Sequence, residues 1–428
     1  MKVLLIAYEF PPVLAAQSLR WFYLANGLAG AGVQVHVVCP DMPAAAPFPV
    51  GFHSAVVTHR VWAGPFVGIS QGLALRASSG VQVQAASGAL HHRPWSLRAY
   101  QVARRVLDAL VYPDVRTEWY PFARAKVNEL LASGGFDAVI SSHEPAVDLF
   151  VGLFAKRRYG LPWVVDMGDP LLTPYSPWWR RRLDLHVERR IVRQADAVWV
   201  TTSKVADLLA HRHGADIQAR FVVIPQGFPV KTSAGSDRSA RTGAKMTLLF
   251  TGTFYRSFRN PEQLALSLRQ LVDLPISFIV VGDNSAFASL FQGLPDVQFL
   301  GKRDHFDCLD LQRNADVLVN LGNVQDFQVP GKVYEYLGAG APILHIQTGP
   351  ADSSAELITL TGAGVVVQNQ ADTIAQALRR LHALWQGGNR AAAGGRRQDL
   401  IAEHAWPKRV ERCLQSLRAV CARTPDAA

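Results

Sequence analysis

The stretch from Gln328 to Leu344, QVPGKVYEYLGAGAPIL, sets one carboxylate, Glu335, between a Pro-Gly-Lys turn and a Gly-Ala-Gly stop. The pattern predicts a short helix with Glu335 in its first turn, where the helix dipole favours a carboxylate whatever its work. The sharper reading has Glu335 accept hydrogen bonds from two adjacent hydroxyls, as a ribose presents. The N–H groups at Gly331 and Lys332 would then face a phosphate. A second loop, TGTFYRSFRNPEQ (251–263), places Arg256 and Arg259 after a glycine and before the Asn-Pro that opens a helix. Two guanidinium groups beside a helix start suit a diphosphate, with a solvated basic loop as the plain alternative. In a third loop, YEFPPVLAAQS (8–18), Pro11-Pro12 ends a strand, small residues follow, and a helix begins near Ser18. Small side chains there let a phosphate approach backbone N–H groups, although an ordinary strand-to-helix turn reads the same way. His143, in SSHEP directly after a strand, is the histidine most suggestively placed, against a plain structural role.

The elements that must position these loops come from apolar periodicity. Short β-type runs lie at 3–7, 35–38, 137–140, 162–165, 197–201 and 221–224, and again at 247–251, 278–282, 297–300, 316–320, 342–346 and 364–367. Runs apolar on both faces suit parallel strands buried under helices. Helical stripes lie between them, such as Trp21, Leu24, Ala25 and Leu28, or Ile374, Leu378 and Leu381. The alternation predicts a doubly wound α/β fold in two similar halves, each binding at the carboxyl ends of its strands. A polar, aperiodic stretch at 229–245 reads as the linker. A loop is expected at 77–88, a basic helix at 96–112, and a last helix carries Trp406, Val410, Leu414 and Leu417.

Apolar residues make up 49% of the 428 residues and charged ones 18%, which argues against disorder. The formal charge of +10 favours anionic partners, and without an RNP, zinc-finger or heptad pattern nucleic acid is not expected. Cys39, Cys308, Cys413 and Cys421, like the histidines, lack metal-ligand spacing, which fits a reducing compartment. No G-x-G-x-x-G joins a strand to a helix. No run of 18 apolar residues occurs, and the opening MKVLLIAYEFPP is too short for a signal peptide. The expectation is a soluble, cytoplasmic protein, at most lying on the inner face of the cell membrane. Two segments suit an anionic lipid interface. One, 91–105, holds Arg93, Arg98, Arg104 and Arg105 around Trp95 and Tyr100; the other, 178–194, holds Trp178, Trp179, Arg180, Arg181, Arg182, Arg189 and Arg190. A solvated helix face with buried aromatics is the alternative.

Taken together, YEFPP, FDAVISSHEP, GLPWVVDMGDP, ADAVWVTTSK, VIPQGF, LFTGTFYRSFRNP and VPGKVYEYLGAGAPIL resemble the GT-B glycosyltransferases, above all the retaining family 4 (glycosyl transferases group 1), over nearly the whole chain. The resemblance implies two Rossmann-like domains facing across a cleft. They would be residues 1–228 on the acceptor side and 246–395 on the nucleotide-sugar side, joined by the 229–245 hinge, with 396–428 packing back toward the first. It implies transfer of a sugar from a nucleotide-diphosphate donor to a lipid-linked or glycan acceptor, without a metal or other cofactor. Glu335 matches the ribose-holding second glutamate of the E-x7-E motif, while Phe327 stands where the first would fall. Pro330 matches the proline between them. Gly252 matches the glycine of the G-R-x(4,5)-K loop, Thr253 stands in place of its arginine, and Arg259 lies near its lysine. Ala15-Ala16 replace the Gly-Gly of the first loop, His143 matches a histidine near the reacting sugar, and Asp166 and Asp169 are cleft candidates. A nucleotide-sugar 2-epimerase, or a non-catalytic nucleotide-sugar-binding scaffold, shares the fold.

Overall fold

The computed structural model describes residues 1–13, 15–42, 50–67, 111–173, 176–230, 244–323, 326–388 and 395–423. The expected loop at 77–88, the basic segment 91–105, most of the helix at 96–112 and most of the linker lie outside them. Two compact units divide the chain, Met1–Ile224 with Val410–Ala428, and Pro225–Arg409. The division thus falls at Ile224/Pro225 rather than after residue 228. Residues 396–409 stay with the second unit, because Trp406 N–H donates to Phe228 O and Phe228 bridges to Ala405.

In the first unit the strands are β1 (Lys2–Ile6), β2 (Gln34–Asp41), β3 (Val56–Trp62), β4 (Ala138–His143), β5 (Trp163–Met167), β6 (Ala197–Val200) and β7 (Phe221–Val223). They form one sheet in the order β3-β2-β1-β4-β5-β6-β7, with every neighbouring pair parallel. Val3 to Ile6 and all of β4 and β5 are buried, as strands covered on both faces must be. β3 has no counterpart among the apolar runs. It is an edge strand, and Val57, Thr58, Arg60 and Trp62 are exposed along it. An edge with one partner needs no continuous apolar run.

The second unit has β8 (Met246–Thr251), β9 (Ile276–Val281), β10 (Val297–Gly301), β11 (Val317–Leu321), β12 (Ile343–Gln347) and β13 (Gly364–Gln368). Their order is β10-β9-β8-β11-β12-β13, again all parallel. Both sheets run outward from their first strand in one direction and then the other, so each has a reversal point beside it: between β1 and β4, and between β8 and β11. Such reversals open the crevices in which doubly wound sheets bind ligands.

The helix Ala16–Gly30 buries Trp21, Leu24, Ala25 and Leu28 as its stripe predicts. Three polar residues, Gln17, Ser18 and Arg20, share its buried surface. Arg20 is fully buried and donates to both oxygens of Asp166 at the end of β5, 2.9 Å each, and to Ile224 O. Gln17 donates to Asp166 Oδ2 and to Ser142 Oγ, and Ser142 Oγ also accepts from the Trp21 indole. This network ties the helix to β4 and β5. At the far end of the chain the helix Trp406–Arg423 joins the first unit from Val410 onward, with Ser416 Oγ accepting from the Trp199 indole at 2.9 Å.

Removing one partner of a buried ion pair leaves the other charge stranded. Asp166→Ala should therefore lower the unfolding free energy by about 3–5 kcal/mol, measured by urea denaturation. A loss within about 0.5 kcal/mol, ordinary for a surface site, would show that Arg20 does not depend on it.

Candidate active site

At the reversal point of the second sheet, β8 ends in Thr251 and the chain turns through Gly252. The backbone there is left-handed, with φ +130° at Gly252 and +128° at Gly282 on the neighbouring turn. A Cβ on Gly282 would sit 2.0 Å from Gly252 O, and one on Gly252 would sit 3.0 Å from Lys332 Nζ. Only glycine meets both demands. Asn284 clamps the turn by donating to Gly252 O at 2.8 Å and accepting from Phe254 N–H at 2.7 Å. Thr253 is half-buried between the two.

Opposite this turn, Pro330 opens the helix Gly331–Ala339. Lys332 extends from its first turn to donate to Thr251 O at 3.2 Å, with its ammonium 4.4 Å from the centre of the Phe250 ring. Burial holds its pKa well below the ordinary lysine value, and the Arg259 cation lowers it further while Glu335 opposes the shift. The first-turn N–H groups of Gly331 and Lys332 lie at the positive end of this helix.

Glu335 stands in the second turn of that helix, not the first, because the helix starts at Gly331 itself. A favourable helix-terminus charge therefore does not account for it. Its Oε2 accepts from Gln312 at 2.9 Å, and its Oε1 lies 3.7 Å from His305 Nδ1. Gln312 is almost fully buried and also donates to Thr251 Oγ1 at 3.2 Å, so it fixes the carboxylate against β8. His305 is held neutral more firmly than a free imidazole, since burial lowers its pKa against the pull of Glu335. Nearby, burial pushes the Cys308 thiol up to about 11, with the Glu335 charge adding to it. The thiol is inert by that measure.

The two arginines part company. Tyr255 and Arg259 pair as a small antiparallel bridge, with exchanged N–H bonds of 3.1 and 3.2 Å. Arg256 thus sits on the tip of a tight hairpin, exposed, while Arg259 reaches back and donates to Asn323 Oδ1 at 2.5 Å beyond β11. Arg259 and Lys332 are brought together and Arg256 is not. No sequence signal separated the two arginines, because Ser257 is the hairpin's one turn-type residue and no Gly, Pro, Asn or Asp marks it. Gln312 was also missed, and its only sequence signal is a polar residue in a helix end that precedes β11.

In the first unit, Ala15 precedes the helix Ala16–Gly30 with extended backbone, and the cap has no side-chain bond. Ala16 is exposed. His143 closes β4, 4% exposed, with Nδ1 lacking a hydrogen-bond partner among the described residues. Asp166 is committed to Arg20 and Gln17 and is fully buried, which leaves it a tether of the fold and not a group open to a ligand. Asp169, beyond the end of β5, is half-buried. Sequence reasoning passed over Asp148. It is fully buried, accepts from Tyr8 N–H at 2.9 Å through Oδ2, and has Oδ1 without a partner among the described residues. Burial holds its carboxyl well above the usual range despite the Tyr8 N–H. Glu9, three residues past the end of β1 and 3.8 Å from Arg116, is also shifted upward by burial, with Arg116 opposing.

Among the described residues no group of three or more His, Cys, Asp or Glu is arranged to hold a metal. A buried ammonium, a guanidinium, two free helix N–H groups and a fixed carboxylate can instead hold a diphosphate and a vicinal diol. Lys332 binds its proton less tightly when folded, so its charge costs stability at neutral pH, and that cost lifts as pH rises toward the unfolded lysine value. Lys332→Met should raise Tm at neutral pH, by an amount that shrinks as pH rises, while affinity for a nucleoside diphosphate falls at least about tenfold, as for a lost charged hydrogen bond. A lowered Tm with unchanged affinity would remove Lys332 from the site.

The glycosyl transferase 4-like domain family matches residues 17–227. Among curated proteins none is similar in sequence. Among solved structures, a sucrose-phosphate synthase from Thermosynechococcus elongatus is 16% identical with a TM-score of 0.68, covering 99% of this chain and 100% of its own. HepE from Anabaena, in complex with UDP-glucose, is 13% identical with a TM-score of 0.62 over 98% and 100%. A protein from Listeria monocytogenes assigned as a UDP-N-acetylglucosamine 2-epimerase is 12% identical with a TM-score of 0.56 over 99% and 97%. These likenesses establish the two-domain fold along the chain. Residues 17–227 thus match a glycosyl transferase 4-like domain, and the chain has the GT-B fold of two Rossmann-like domains that these solved structures share.

Proposed function

We propose that this protein is a retaining glycosyltransferase that moves a sugar from a nucleotide-diphosphate donor to an acceptor hydroxyl, without a metal, in the assembly of a surface polysaccharide or glycolipid. The observation that carries the reading is the Lys332 ammonium, buried at the end of β8 with Arg259 and Glu335 as the charges acting on it. A buried cation facing a second cation suits a dianionic ligand, and a diphosphate leaving group is one. HepE, which shares the fold, binds UDP-glucose, in keeping with a nucleotide-sugar donor.

In this reading Lys332, Arg259 and the N–H groups of Gly331 and Lys332 hold the diphosphate, and Glu335 accepts from the ribose hydroxyls. As the bond from the anomeric carbon to the phosphate oxygen breaks, negative charge grows on the diphosphate. Fixed donors in a site of low dielectric stabilise that charge without reorganising. The acceptor oxygen attacks from the face the diphosphate leaves, and its proton passes to the departing phosphate oxygen. The first unit supplies the acceptor groups, with His143 as the unpartnered imidazole. Phe327, half-buried at the position of the motif's first glutamate, adds no charge to the donor side. A 2-epimerase would instead release a free sugar epimer without any acceptor.

Glu335→Ala should weaken donor binding by about 1–3 kcal/mol, the worth of hydrogen bonds to a charged acceptor. Calorimetry with UDP, GDP and ADP nucleotides measures it and identifies the base; an unchanged affinity removes the ribose role. Arg259→Ala should cut kcat about 10²–10³-fold, as for a lost transition-state donor, while Arg256→Ala stays near wild type. The reverse ranking would place the hairpin tip, not its base, on the diphosphate. The anomeric configuration of the product, read by NMR, tests retention.

A further inference from the structure

The first unit carries a groove of about 660 Å³. Tyr120, Phe150, Leu153 and Phe154 make its half-buried floor, and Arg157, Arg158 and Arg190 stand around it. A second hollow of about 430 Å³ shares Tyr120, Phe154 and Arg158 and adds Arg124. The helices Tyr120–Ala132 and Val147–Tyr159 therefore present one continuous apolar strip edged by four arginines, with Arg190 from the helix Arg181–Gln194.

None of the four guanidinium groups is paired with a carboxylate among the described residues. Arg157 donates to the Gln194 side chain, and Arg124 lies 4.5 Å over the Phe154 ring. The neighbouring acids are engaged elsewhere: Glu118 accepts from the N–H groups of Phe66 and Val67, and Glu129 pairs with Lys126. Four unneutralised cations around an apolar floor match an anionic amphipath in both charge and polarity. A nucleic acid strand fits less well. Its bases need free ring faces, and one face of Phe154 is already covered by Arg124.

We infer that this groove docks the phosphate headgroup of an anionic membrane lipid, with the first part of the lipid chain laid along Phe150, Leu153 and Phe154. The docking differs from the one expected at 178–194. There Arg180 is tied to Asp184 and Pro113 O, Trp178 is 86% exposed, and only Arg190 turns into the groove. It rests on the groove alone and not on the transfer reaction.

The test is co-sedimentation of the full chain with phosphatidylcholine vesicles, with and without phosphatidylglycerol, in the absence of any nucleotide. Binding is expected on the anionic vesicles only and is released by salt. The double variant Arg157→Gln with Arg158→Gln should lose about thirtyfold in partitioning, about 1 kcal/mol per basic residue at such a surface. Its Tm and its affinity for UDP should match wild type, which shows that the chain is folded. Phe154→Ser should weaken binding while the salt dependence stays as in wild type. Equal binding to both vesicles, or binding to neither, overturns the proposal. So does full binding by the arginine pair variant together with loss in Trp178→Ala, Trp179→Ala, or displacement of the vesicles by a single-stranded oligonucleotide.

Discussion

The second unit is organised around one uncomfortable charge, the Lys332 ammonium held against Thr251 O at the end of β8. Burying an ammonium is costly unless something negative stays near it. The fold holds it between the end of β8 and the helix Gly331–Ala339. The Phe250 ring lies beneath it, and the turn through Gly252 is narrow enough that a Cβ would approach Nζ to 3.0 Å. Gly282 permits that turn, Asn284 clamps it, and Gln312 sets Glu335 on the other side. On the proposed reading these residues form a rigid frame for a ligand that brings negative charge with it, and such a ligand would offset the repulsion between Arg259 and Lys332.

The first unit offers a contrast between two buried carboxyl groups. Asp166 has Arg20 on both oxygens and Gln17 besides, so its charge is fully answered and its role is to hold a helix on the sheet. Asp148 has a single backbone N–H and no cation bonded to it, and burial drives it toward its neutral form. The first is a tether, and the second keeps one oxygen without a partner among the described residues. Sequence alone singles out Asp166, which sits in the more suggestive run at the end of an apolar strand, and passes over Asp148. Both are aspartates, and only the three-dimensional partner distinguishes them.

How much was legible follows the same line. The strands that cross the sheet interiors announce themselves, since a strand covered on both faces must be apolar throughout, as at Leu248–Phe250 or Val139–Ile140. β3 stays silent because it has one neighbour and half its residues face water. The helix holding Glu335 was visible from Pro330 and Gly340, but it starts at Gly331 itself, which puts Glu335 in the second turn and changes the reason it is there. Arg256 and Arg259 were inseparable because their difference depends on a hairpin closed by backbone bonds that no residue type encodes. Gln312 could not be found, since its work is a contact with residues distant in sequence.

The most direct measurement of the central claim is the proton uptake that accompanies nucleoside diphosphate binding. It is read from the dependence of the calorimetric heat on the ionisation enthalpy of the buffer, at about pH 9, where the phosphates themselves no longer titrate. A dianion placed beside a lysine with a lowered pKa restores its proton affinity, so binding should draw protons from the buffer. The account requires a net uptake with UDP that disappears in Lys332→Met. No uptake in the wild-type protein, or the same uptake in both proteins, would mean that the diphosphate is held somewhere other than at Lys332.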